Sequence, residues 1–411
     1  AGCQAPAPCR AAPAQPAAAV PELPITKPVL PAFNLGNLPK APVRFVAGFE
    51  PGTYRELTAP LCQSLAARNA SAANTLADED RLPGPASGCD AEADQLRRAV
   101  RYFTALEFRN QAAAAALERY YQLTGAESRS AIAREAGPIL EDVFEKADKA
   151  KRENIRYPLD PADIERQRGQ LASQLEEAAV AVRAVNIDLR RRLGLTPGSA
   201  DDRLWPVGSF DIDPQPADPV TAVNAALADR PELRAWRTLQ QGLTVNTLPV
   251  ARDLLRGGAP LAAGVSAPMG GPLARCVTKL LASHSKPDPC AAAELEVRRK
   301  QLADVIASRE RDVADETRVA VAALNGQTRR VALARDRVDG WQAKLDDAVR
   351  LRKAGLPMAD LLEAQARLEW LKARSELVAE VMAWHQARVR LRAAMGWLVW
   401  ETLSEPGERR P

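Results

Sequence analysis

Six cysteines and two histidines are the residues best able to do chemistry in this chain of 411. Cys3, Cys9, Cys62, Cys89, Cys276 and Cys290 contain no C-x-x-C pair, which argues against a zinc ribbon or a thioredoxin-type redox site. They fall into three sequence pairs, and two readings stay open. One is isolated buried thiols. The other is two local disulfides, Cys62 with Cys89 and Cys276 with Cys290, formed in an oxidising extracytoplasmic compartment. For the second reading, Ser285-Lys-Pro-Asp-Pro289 supplies a turn that lets the chain double back between its cysteines. Ala1-Gly2-Cys3 matches the last three positions of a bacterial lipoprotein cleavage box, in which Cys3 becomes the acylated lipid anchor. The plainer reading makes Cys3 a tail residue or a partner for Cys9.

His284 and His385 are too few for most hydrolytic triads or His-rich metal sites, and both are set aside as ligands or catalysts. Asp346-Asp347 and Glu141-Asp142 read as solvated helix faces, and Arg190–Arg192 as the cationic end of a helix. The glycines at 257, 258, 264, 270 and 271 lack the following G-K-[ST] of a phosphate loop. No active site, cofactor or metal is expected.

Of all residues 46% are hydrophobic but only 5% aromatic, so large globular cores are disfavoured. Long stretches of Ala, Glu, Arg, Leu and Gln, with 26% charged residues, are the composition of long helices. The 56 basic and 52 acidic residues nearly cancel, so no general field calls for nucleic acid. No apolar run reaches the ~20 residues that a membrane helix needs.

Residues 1–50 form a Pro/Ala-rich leader, with ten prolines in the first 45 and no apolar period. Helices are predicted at about 53–79, 91–156 (with breaks possible at Gly125 and Gly137-Pro138) and 161–193, the last ending at Gly194. A polar connector covers 196–218. A helix then spans 219–242, an irregular region reaches 275, and helices follow at 291–354 and from Pro357 to about Leu398, before a polar tail, 401–411. No run of alternating β-branched residues signals a strand. The last helix carries two adjacent stripes, Leu361–Leu368–Leu371–Val378–Met382–Val389 and Leu362–Trp370–Leu377–Val381–Trp384–Leu391. This fits neighbours on two sides or one broad core-facing stripe.

Three blocks recur in order: residues 65–76 with 227–238, 162–171 with 359–368, and 189–195 with 391–397. The chain therefore divides into two repeats, 51–195 and 219–400. Each reads as short helix, long helix, tight turn, returning helix.

These blocks resemble the outer-membrane efflux factor family, the TolC-like channel proteins. The residues concerned are Arg230-Pro-Glu-Leu233, Lys353-Ala-Gly-Leu-Pro-Met-Ala-Asp-Leu-Leu-Glu-Ala-Gln365 and Leu391 to Gly396. The resemblance implies an all-α fold of internally duplicated, long antiparallel helical hairpins, assembled as a homotrimeric tunnel in the periplasm. It implies an outer-membrane lipid anchor at Cys3. It also implies an adaptor protein docked on the turns, at Leu159, Asp160, Lys353, Gly355, Leu356, Met358 and Asp360. One departure stands out. The family's membrane β-hairpins have no counterpart here: 80–90 is too short for two strands of ~9–11 residues, and 245–290 lacks alternation. The expectation is an export or efflux component of the cell envelope. The alternative is a structural coiled-coil scaffold of the envelope without transport activity.

Overall fold

The computed structural model describes residues 25–26, 53–80, 89–153, 158–195, 202–257, 291–356 and 358–403. Cys3, Cys9, Cys276, Cys290, His284 and Pro357 lie outside them, as do the side chain of Cys89, the rest of the 1–50 leader and residues 404–411.

Straight-chain residues lose little rotamer freedom in a helix, and the stretches rich in them are helical. In chain order the elements are β1 (Ile25–Thr26), β2 (Thr53–Thr58), α1 (Ala59–Arg68), α2 (Ser71–Glu79), α3 (Cys89–Arg152) and α4 (Pro161–Arg192). Then come β3 (Asp202–Val207), α5 (Pro219–Asp229), α6 (Pro231–Gln241) and α7 (Leu248–Gly257). The chain closes with α8 (Ala291–Lys353), α9 (Ala359–Ala394) and α10 (Trp397–Leu403). The fold is all-α in character, and the duplication is visible in it: α1, α2, α3, α4 and α5, α6, α8, α9 repeat one order, with α7 added in the second, and the long helices have 64 and 63 residues. At 1.5 Å per residue each is about 95 Å long.

Several expectations are corrected. The first helix does not start at 53, because residues 53–58 form β2. It also breaks in two at Asn69-Ala70. The leader and the connector each contribute a strand, in a sheet of order β1-β2-β3. β2 runs parallel to β3 in the register Thr53↔Asp202 to Thr58↔Val207. The strand 202–207 carries Pro206, which an edge position tolerates. Asn186 of α4 grips this strand, its amide donating to Leu204 O at 3.0 Å and accepting from Leu204 N at 3.2 Å.

Neither Gly125 nor Pro138 interrupts α3. A Cβ at Gly125 would lie 2.9 Å from Met382 Cγ, so the glycine serves close approach of α9 rather than a break. The predicted 219–242 helix is two, divided at Arg230, because Pro231 cannot continue α5. Residues 248–257, expected to be irregular, are helical. The last helix begins at Ala359, not Pro357, and stops at Ala394, where Gly396 (φ +74°) turns the chain into α10.

α4 packs on α3, α3 on α9, and α9 on α8, giving a four-helix wall. Both stripes of α9 are used. Leu371, Val378, Met382 and Val389 are buried, and so are Leu377, Val381, Trp384 and Leu391. Neighbours on two sides account for both. The main core gathers near the sheet, where Tyr120 donates to Val207 O at 2.8 Å and Trp205 meets Tyr54 edge-on at 5.7 Å.

The repeats also close alike. Gly194 and Gly396 both adopt positive φ, and each packs against the break between the short helices of its own repeat. A Cβ would come 2.8 Å from Asn69 Cγ in the first and 2.7 Å from Pro231 Cδ in the second.

Cys62 is a free thiol, 0% exposed in the main core, so the expected Cys62–Cys89 link is not formed. It lies on the core-facing side of α1, and burial raises its pKa far above the usual thiol value. The isolated buried thiol is the correct reading at this position. The Cys276–Cys290 pairing falls outside the described residues.

Candidate functional site

The two hairpin turns form one apolar and charged tip at the same end of the wall. In the first, Asp160 caps α4, its Oδ1 accepting from Ala162 N at 3.0 Å, and Pro161 occupies the first turn, where no donor is lost. Leu159 is half-buried and packs, as Phe144 does, against a cluster formed by Val143, Ala147, Ile164, Leu361 and Ala364. Two of these come from α9, so the second repeat's returning helix seals the first repeat's turn.

In the second turn Gly355 (φ +71°) ends α8. Its N–H donates to Arg352 O at 2.9 Å and that of Leu356 to Leu351 O at 3.3 Å, the bond pair of a Schellman stop. Met358 follows at φ +65°, a left-handed conformation unusual for a side-chain-bearing residue, as the uncapped residue before α9. Asp360 stands in the first turn of α9, where the helix dipole favours a carboxylate.

Four large apolar side chains are exposed here: Leu351 at 39%, Leu356 at 50%, Met358 at 55% and Leu362 at 47%. Ion pairs ring them. Lys146 Nζ lies 2.7 Å from Asp142 and 3.6 Å from Asp360, and these carboxylates hold its pKa above the usual lysine value. Arg168 pairs with Glu141 at 2.6 Å and covers the Phe144 ring at 4.8 Å, while Arg352 pairs with Glu363 at 2.9 Å. Glu141 and Asp142 thus act as paired helix-surface charges, and Asp347 pairs with Arg350. Lys353 is exposed at the rim.

Of the turn residues singled out in the sequence, Leu159 shares an apolar cluster with α9 and Asp360 is linked to α3 through Lys146. Leu351 and Leu362 were missed, because the stripe pattern placed Leu362 inside a seam. His385 is buried, stacked on Tyr121 at 4.7 Å between ring centroids, and desolvation lowers its pKa to about 4. Among the described residues no group of three His, Cys, Asp or Glu could hold a metal, and no helix is long and apolar enough to cross a membrane.

No family model matches the sequence, and no curated protein matches it. Solved structures do match. The outer-membrane channel OprN is 15% identical over 82% of this chain and 89% of its own, with a TM-score of 0.53. The open state of the Neisseria gonorrhoeae MtrE outer membrane channel is 14% identical over 82% and 88%, also at 0.53. The Campylobacter jejuni CmeC outer membrane channel is 13% identical over 76% and 68%, at 0.51. The chain has the fold of the TolC-like outer-membrane channels.

Proposed function

We propose that this chain is an efflux-factor-like component of the bacterial cell envelope, with a helical wall that closes into a tunnel by assembly of copies and a tip that docks a periplasmic adaptor protein. The observation that carries the reading is the apolar surface left exposed on the wall's two outer helices. Val180 and Ile187 on α4, and Val319 and Leu333 on α8, are 63–69% exposed on the outer helices of the four. Apolar surface on both margins of an open wall favours a ring in which α4 of one copy meets α8 of the next. The resemblance to the TolC-like family makes three the expected number. No catalytic role is assigned.

Membrane association through an acylated Cys3 belongs to the same reading, since only nine residues (80–88) join α2 to α3 in the first repeat. Mass spectrometry of the N-terminal peptide from a membrane fraction checks that part. The assembly is tested by electron microscopy of the purified protein beside its Val180→Glu, Ile187→Glu variant. Ring-shaped particles with an axial opening, lost in the variant while helicity is kept, support the tunnel. A closed monomeric bundle in both would favour a scaffold without transport activity.

A further inference from the structure

Where α5 breaks into α6, five charged side chains from three helices form a largely buried cluster. Arg230 Nη1 reaches Glu316 Oε2 of α8 at 2.5 Å, and its Nε lies 3.6 Å from Glu232 Oε2. Arg309 of α8 forks onto Glu232 through Nε at 2.8 Å and Nη2 at 2.9 Å. It also touches Glu316 at 3.3 Å and Asp312 at 3.5 Å. Glu107 of α3 completes the set at 3% exposure. Its Oε1 accepts from Gln111 Nε2 at 2.9 Å, while its Oε2 is buried without a partner. From α9 the Ala393 carbonyl accepts from Asn110 Nδ2 at 2.9 Å beside it.

The charge count does not balance. Arg230 and Arg309 face Glu107, Glu232 and Glu316, with Asp312 at the solvent rim. Glu232 and Glu316 each hold a guanidinium directly. Glu107 holds none, and a buried carboxylate without a bonded cation is costly. Protonation removes the surplus charge.

We propose that this cluster is a proton-operated latch: with a proton on Glu107 it clamps α6 to α3 and α8, and loss of that proton loosens the corner. Burial is the largest influence on Glu107. Arg230, Gln111 and Arg309 oppose it, Glu232 reinforces it, and its pKa rises to about 7. The corner is tied to the rest of the repeat. Trp397 and Trp400 donate to Asp229, one residue before Arg230, at 3.2 and 3.0 Å, so loosening reaches the α9–α10 junction.

Hydrogen exchange on the full-length chain, corrected for intrinsic pH dependence, tests the latch. Amides of residues 232–238 should open about tenfold more at about pH 8.5 than at about pH 6, as one proton is withdrawn from the cluster. Glu107→Gln, neutral at every pH, should exchange slowly at both, while Glu127→Gln, a change at a separate buried carboxyl, should keep the response. The difference infrared spectrum of wild type minus Glu107→Gln near pH 6 should carry the carbonyl band of a protonated acid. Equal opening of the wild type at both pH values, or a carboxylate band in that spectrum, overturns the proposal. So does a Glu107→Gln chain that cannot fold, since the amide reproduces the neutral shape.

Discussion

Lys146 and Asp360 lie 3.6 Å apart although they belong to opposite repeats, one near the end of α3 and the other in the first turn of α9. Together with the apolar cluster that Leu159 and Leu361 share, this pair joins the ends of the two hairpins. Leu356 and Met358 protrude from this joined end rather than fill it. Replacing both with Asp should change stability by no more than about 0.5 kcal/mol, the range for exposed positions. Thermal melting checks that figure, and co-purification with an envelope adaptor reads the expected loss of binding. Unchanged capture of the adaptor would end the docking assignment.

The backbone of the same turn separates stability from docking. Met358 occupies left-handed space that costs a side-chain-bearing residue roughly 1 kcal/mol. Met358→Gly should therefore raise the unfolding free energy slightly, by about 0.5 kcal/mol, while still weakening docking. Gly355→Ala, with nothing within 4 Å to obstruct its Cβ, should lose about 1–2 kcal/mol through φ alone. Chemical denaturation of the two variants gives both signs.

Cys62 should resist alkylation in the native protein, because it is buried and its thiolate is disfavoured. Labelling should become rapid only in denaturant. Non-reducing peptide mapping should recover Cys62 unlinked, and the remaining disulfide expectation is a peptide joining Cys276 to Cys290. A Cys62-containing disulfide in that map contradicts the structure.

Glu127 supplies a pH dependence of known sign. Burial outweighs the nearby Arg134 and raises its pKa from 4.5 to about 7. The folded state therefore keeps a proton that the unfolded chain gives up near 4.5. Stability is full below that value and is lost as pH rises through about 7. Glu127→Gln should match wild type near pH 4.5 and exceed it at pH 8 by on the order of 1–3 kcal/mol. A flat difference in melting temperature across that window refutes the assignment.

The long helices and their ends were legible because their signals are local. Asp160 with Pro161 starts α4, Gly194 stops that same helix and Gly355 stops α8, each within a few residues of chain. β2 was not legible. Thr53–Thr58 is too short to show a period, and its partner, Asp202–Val207, is supplied only after the whole first hairpin. The tip was half legible: the Gly355 turn announced itself, but whether Leu362 faces a neighbour or water depends on where α8 ends. The ionic corner was read only as an Arg-Pro-Glu-Leu block. Its meaning comes from Glu107 and Arg309, which no spacing rule connects to it.

Gln63, in the first helix, donates to the carbonyl of Leu398 at 2.8 Å and to the carboxylate of Glu401 at 3.1 Å, in the last. The consequence concerns the order in which the molecule is made. A chain emerging from the ribosome N-terminus first exposes α1 long before α10 exists to cover it, and its hairpins must wait side by side as unfinished halves. Contacts of such sequence separation form late and slowly. The first helix therefore completes its packing only after the last one has been made.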